Sequence, residues 1–116
     1  MSKKDFPPAR KESEIKTAIL RFLNSQYMTF AFTVPTTGIP NFRKGKFAGF
    51  RTNKTSRGCA DILGLKNGRF FSLEVKRPSG VLADHQRDFL VSVGINGGYE
   101  AIVYSVEDAV EAWREI

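Results

Sequence analysis

Ala60-Asp61-Ile62-Leu63-Gly64-Leu65-Lys66-Asn67-Gly68-Arg69-Phe70-Phe71-Ser72-Leu73-Glu74-Val75-Lys76 sets two apolar runs on either side of an Asn-Gly dipeptide. Asn-Gly accepts the positive φ values that a two-residue hairpin turn requires. Residues 60–65 and 70–76 are therefore expected to be antiparallel neighbours joined through Lys66–Arg69. In the second run Phe71, Leu73 and Val75 alternate with Ser72, Glu74 and Lys76, so one face is apolar and the other polar. Glu74 and Lys76 project from the same face. Pairing about the turn sets Asp61 opposite a residue near Glu74, within one register step. Two carboxylates and one ammonium are then expected to converge.

The flanking segments extend this hairpin into an α/β domain. From about Glu12 to Ser25, Ile15, Ala18, Ile19, Phe22 and Leu23 recur at helical spacing and make one apolar stripe. Thr29–Val34 is β-branched and aromatic, the pattern of a strand, and Pro35 closes it. Residues 35–58 hold Gly, Pro, Asn and basic residues without sustained periodicity. They are expected to form a long loop, with room for a short hairpin, and a loop of that length in a small domain usually has a task. A helix follows from about Asp84 to Val93, with Phe89, Leu90 and Val93 inward and Gly94 and Gly97-Gly98 ending it. Glu100–Tyr104 is expected as a fourth strand, with Ala101-Ile102-Val103 apolar enough for burial on both faces. The last helix starts at Ser105, where Ser105-Val106-Glu107-Asp108 has the form of a capping box with Asp in place of Glu. Val106, Ala109, Val110 and Trp113 then face inward. The order is α-β-β-β-α-β-α.

Composition bounds the function. The 116 residues, 41% hydrophobic and 26% charged, suit one globular domain. Residues 1–10 have little to bury and are expected to be a flexible basic arm, leaving residues 11–116 as the single folded domain. No apolar run approaches the roughly 18 residues of a membrane span, and no apolar segment follows the basic start as it would in a signal peptide. Cys59 is the only cysteine and His85 the only histidine, which excludes an internal disulfide and a Cys/His zinc cage. The expectation is a soluble domain of the cytoplasm. The net charge is +6, unevenly spread: residues 1–58 carry twelve Lys/Arg against three Asp/Glu, residues 59–116 six against nine. A basic half suggests a polyanionic partner, most simply nucleic acid, although it also serves solubility.

Asp61, Glu74 and Lys76 suit a hard divalent cation such as Mg²⁺, which takes oxygen ligands and keeps several waters. Asp61 and Glu74 offer charged oxygens, and the Val75 carbonyl between Glu74 and Lys76 offers a third. Such an ion polarises a phosphodiester and lowers the pKa of bound water. Lys76 could orient the attacking water or stabilise phosphate charge. On its own, Glu-x-Lys is as readily a solvated ion pair worth at most about 1 kcal/mol. Gln86 adds weight. It falls three, four and seven residues before Phe89, Leu90 and Val93, so it lies on the inward stripe and needs a partner there, such as a water, Lys76 or a phosphate. The alternative is a partly exposed first-turn Gln bonded to backbone. Glu14 borders the apolar stripe of the first helix and could reach the same site, or pair on the surface with Lys11 or Arg10.

Taken in order, Glu14, Gly58-Cys59-Ala60-Asp61-Ile62, Leu73-Glu74-Val75-Lys76, Gly80-Val81-Leu82 and Gln86 resemble the PD-(D/E)xK nuclease superfamily. Within it they resemble the VRR-NUC family and its small stand-alone phage members. The resemblance runs from about Glu12 to Trp113. It implies a restriction-endonuclease-like core, a mixed four-stranded sheet flanked by helices, and Mg²⁺- or Mn²⁺-dependent cleavage of DNA, with four-way junctions and other branched forms among the candidate substrates. By resemblance Asp61 and Glu74 are metal ligands and Lys76 the catalytic lysine. Glu14 completes the acidic cluster, and Gln86 supports the phosphate or the lysine. The residue before the metal-binding Asp is often Pro in this family and is Ala60 here.

Between Asn41 and Gly58 stand Arg43, Lys44, Lys46, Arg51, Lys54 and Arg57 with no acid, interleaved with Phe42, Phe47 and Phe50. These cations are expected to contact the DNA backbone. The phenylalanines could stack on unpaired bases or pack on the core or a second subunit. Paired incision needs two sites, and a homodimer is the expected arrangement. Two other readings remain: a non-catalytic nucleic-acid-binding module with the same fold, and the cleavage domain of a restriction-type system, for whose recognition element this chain has little room.

Overall fold

The computed structural model describes residues 11–34, 39–51 and 58–116. The expected arm, residues 1–10, lies outside them. The elements in chain order are α1 (Glu12–Asn24), β1 (Thr29–Thr33), β2 (Ile39–Arg43), β3 (Lys46–Arg51), β4 (Ile62–Lys66), β5 (Arg69–Val75), α2 (Asp84–Ile95), β6 (Tyr99–Val103) and α3 (Val106–Glu115). The architecture is mixed α/β. A four-stranded sheet of order β1-β4-β5-β6 is flanked by the helices, antiparallel except where β6 runs parallel to β5.

The β4–β5 hairpin forms at the expected turn. Asn67 and Gly68 both have positive φ, 53° and 81°, and Lys66 pairs with Arg69. The register aligns Ala31, Gly64, Phe71 and Tyr99 in one cross-strand row, and Ile62, Leu73 and Ala101 in the next. These rows share a face with Val75 and Val103, and α1 and α3 cover it. Ile15, Ile19 and Leu23 of α1 and Ala109 and Ala112 of α3 close the core there. Gly64 lets the strands pack this tightly: a Cβ on it would lie 2.5 Å from the Phe30 carbonyl oxygen and the Phe71 ring.

The opposite face carries Phe30, Phe32, Leu63, Leu65, Phe70, Ser72 and Glu74. Leu90 and Val93 of α2 are buried, and α2 packs on β5 and β6. Toward β1, Phe30, Phe32, Leu65 and Phe70 remain exposed.

The loop expected over residues 35–58 holds the short hairpin that it had room for, a separate two-stranded sheet of β2 and β3. Its turn is Lys44-Gly45, again with two positive φ values, 50° and 75°. A bulge places one more residue on β3 than on β2 between the pairs Pro40–Phe50 and Phe42–Phe47, and Gly49 there has φ +92°. The extra residue brings Phe42, Phe47 and Phe50 to one face, with ring centroids 6.1 and 5.2 Å apart along the cluster.

Gly94 does not end α2. The helix continues to Ile95 and closes at Gly97 (φ +88°), whose N–H donates to the Gly94 carbonyl while the Gly98 N–H donates to that of Val93, a Schellman closure. Ala101 and Ile102 are only half-buried, because β6 is an edge strand. In α3, Ala112 is buried whereas Val110 and Trp113 are half-buried. Ser105 caps α3 by accepting from the Asp108 N–H at 3.1 Å. The Asp108 carboxylate reaches the Tyr104 N–H at 2.9 Å rather than that of Ser105. Among the described residues no helix is long and apolar enough to cross a membrane.

Candidate active site

The site is assembled where the β4–β5 pairing ends. Ile62 pairs with Leu73, and one further step sets Asp61 across from Glu74, as the turn predicts. Asp61 sits just before β4, half-buried, and its Oδ2 accepts the Val75 N–H at 2.9 Å. The carboxylate thus takes over a β5 amide beyond the end of the strand ladder, and that bond fixes its position.

Glu74 is 2% exposed. Its Oε1 accepts from Gln86 Nε2 at 3.0 Å, while Gln86 Oε1 accepts the Ala83 N–H at 3.0 Å. Gln86 therefore ties the first turn of α2 to the buried carboxylate, and its partner is Glu74 rather than Lys76. Lys76 Nζ stands 3.9 Å from the same Oε1. Just past the end of β5, the Lys76 N–H donates to the Val103 carbonyl at 3.0 Å, which continues the pairing with β6. Gly58 helps bring these parts together. At φ +81° it packs so closely on α2 that a Cβ would lie 2.6 Å from the His85 carbonyl oxygen.

Electrostatically the pair is under tension. Burial, followed by the Asp61 charge, raises the Glu74 carboxyl to about 8, against a smaller lowering by Lys76. Burial and the charges of Glu74 and Asp61 also raise the neighbouring Cys59 thiol, which disfavours a thiolate nucleophile. Glu74 Oε2 is buried with no hydrogen-bond partner among the described residues. With its value raised to about 8, the buried Glu74 carboxyl keeps its proton near neutral pH, and a bound cation would displace the proton and offset the charge of the ionised pair. Two carboxylates on adjacent strands are the hard oxygen donors that Mg²⁺ or Mn²⁺ takes, with waters and substrate phosphate completing the shell. The residues present fit such an ion.

The first helix contributes differently from expectation. Glu14 is exposed and lines a shallow surface pocket with Ser13, Thr17, Ala18 and Arg21, so the structure does not bring it to the cluster. Among the described residues no group of three or more His, Cys, Asp or Glu side chains converges as a metal centre. Two other α1 side chains reach this end of the sheet. Lys16 Nζ lies 3.1 Å from Asp61 Oδ1, and Glu12 Oε1 accepts the Arg77 N–H at 3.3 Å. Sequence reasoning missed both. Lys16 follows the core residue Ile15 as Glu14 precedes it, so adjacency to the apolar stripe did not single it out.

Of the expected DNA contacts, Arg43, Lys44 and Lys46 are exposed around the β2–β3 turn. The Arg51 side chain, Lys54 and Arg57 lie outside the described residues. Comparison with protein-family models and with curated proteins finds no match to this chain.

Proposed function

We propose that this chain is a Mg²⁺- or Mn²⁺-dependent DNA endonuclease of the VRR-NUC type, with a restriction-endonuclease-like core, acting inside the cell on DNA shape rather than sequence. One observation carries the reading: a fully buried Glu74 faces Asp61 with one oxygen unpartnered, while Gln86 and Lys76 both address the other. Stability alone gives no reason to bury a carboxylate beside another acid. A site that must receive a cation does, and perturbed carboxylates of this kind cluster at functional sites.

Asp61 and Glu74 would hold the ion, with the Val75 carbonyl as the third protein donor. The bound ion would supply Lewis-acid polarisation of the phosphate and a more acidic water. Lys76 orients the attacking water and sets positive charge beside the phosphate as negative charge builds there. Gln86 holds Glu74 Oε1 and thereby fixes the direction of Oε2. Arg43, Lys44 and Lys46, together with Arg51, Lys54 and Arg57, hold the DNA backbone. A homodimer belongs to the same proposal, because two apolar surfaces stand exposed among the described residues. The Phe42, Phe47 and Phe50 face of the hairpin would pack on the Phe30, Phe32, Leu65 and Phe70 face of a second copy, leaving the cationic turn free for DNA.

The test is cleavage of labelled single-stranded, duplex, flap and four-way-junction DNA with each metal. Wild type is expected to cut a branched form, and Lys76→Ala and Glu74→Ala to lose about a hundredfold or more in rate. A wild-type protein inert with both metals removes the enzymatic reading. If that protein still binds DNA, the non-catalytic module takes its place. Cutting at one fixed sequence favours the restriction-type reading.

A further inference from the structure

Lys16 makes the shortest ion pair of the cluster, at 3.1 Å from Asp61 Oδ1. Its stem starts beside the core on α1, yet its side chain keeps 34% exposure, so the ammonium can leave without unpacking the helix. Asp61 is thereby occupied on both oxygens, by Lys16 on Oδ1 and by the Val75 N–H on Oδ2. The amide contact is compatible with a divalent ion on the carboxylate. The ammonium contact is not, because a second cation on Oδ1 would stand within a few ångströms of the first and repel it.

We propose that Lys16 is an exchangeable counter-ion: it holds Asp61 while the acidic pair carries no divalent ion, and gives up Oδ1 when one binds. The proposal rests on the metal-dependent reading above. In the metal-free protein, Lys16 offsets the charge of the acidic pair and keeps Asp61 in place. Once displaced, its flexible stem leaves the ammonium beside the site, where it can meet a backbone phosphate. Lys16 is thus a positioning residue for Asp61 and a competitor of the metal.

The test is calorimetric titration of DNA-free protein with Mn²⁺, together with urea midpoints in its absence and at saturation. Lys16→Met is expected to bind Mn²⁺ about twofold to fivefold more tightly, the range set by release of a partly exposed ion pair. Its midpoint should fall below wild type without metal and equal wild type at saturating Mn²⁺. Lys16→Arg, which keeps the charge, should bind no more tightly than wild type. A pair that persists in the loaded protein would instead leave the variant's midpoint below wild type at saturating Mn²⁺ as well as without metal, and that result overturns the exchange. If wild type binds Mn²⁺ and Lys16→Met binds no more tightly, only this inference fails. If wild type binds no Mn²⁺, the metal-dependent reading fails and the exchange with it.

Discussion

Burial and the adjacent Asp61 raise the Glu74 carboxyl from an ordinary 4.5 to about 8, and this shift links stability to pH. A folded-state value above the unfolded one means that the native protein holds a proton which the unfolded chain has released. That stabilisation is complete below the ordinary carboxylate range and is lost as pH rises through about 8. The metal-free protein is therefore expected to lose urea resistance between pH 5 and pH 9, and Glu74→Gln to flatten that decline. Equal slopes for the two proteins would show that Glu74 is not the group responsible. Mn²⁺ affinity should rise over the same interval, because binding displaces the proton. The Asp61–Glu74 juxtaposition was legible at this scale from the Asn67-Gly68 turn and simple counting. The choice between Glu14 and Lys16 was not. Both flank Ile15 on α1 but lie about 200° apart around the helix, and the stripe alone does not say which border meets the strand ends.

The β2–β3 hairpin has its own logic at the scale of elements. Its apolar residues Phe42, Phe47 and Phe50 obey no single strand period, because the bulge at Gly49 inserts a residue between the second and third. An alternation test fails for that reason, even though the backbone is paired on both sides of the bulge. The turn is equally easy to overlook: Lys44 takes the left-handed conformation that Asn takes at the β4–β5 turn, with Gly45 following. Arg43, Lys44 and Lys46 consequently meet at one tip. Replacing all three with Gln is expected to weaken DNA binding and lower the slope of log affinity against log salt by about 0.9 for each phosphate that the hairpin no longer neutralises. Fluorescence anisotropy across a salt series measures both. An unchanged slope would place the hairpin away from the DNA.

At the scale of the whole molecule, charge and apolar surface divide the labour. The basic half supplies α1 and the hairpin, and the acid-rich half supplies Asp61 and Glu74. The sheet face over β1 and β4 and the aromatic face of the hairpin are both exposed, and a two-stranded hairpin alone is marginal in water. Light scattering after size exclusion is expected to give a dimer, and Phe30→Asp or Phe47→Asp a monomer that keeps its circular dichroism. A monomeric wild type at tens of micromolar would remove the second copy from the proposal. The element order of the main sheet, the turn at Asn67-Gly68 and the closeness of Asp61 to Glu74 follow from sequence by itself, because periodicity and turn stereochemistry are local. Only the tertiary structure decided that Gln86 binds Glu74, that α1 presents Lys16 rather than Glu14, and that Glu74 is sealed from water. Each of these depends on how a helix is rotated and where it docks on the sheet, which is set by packing between segments far apart in the chain.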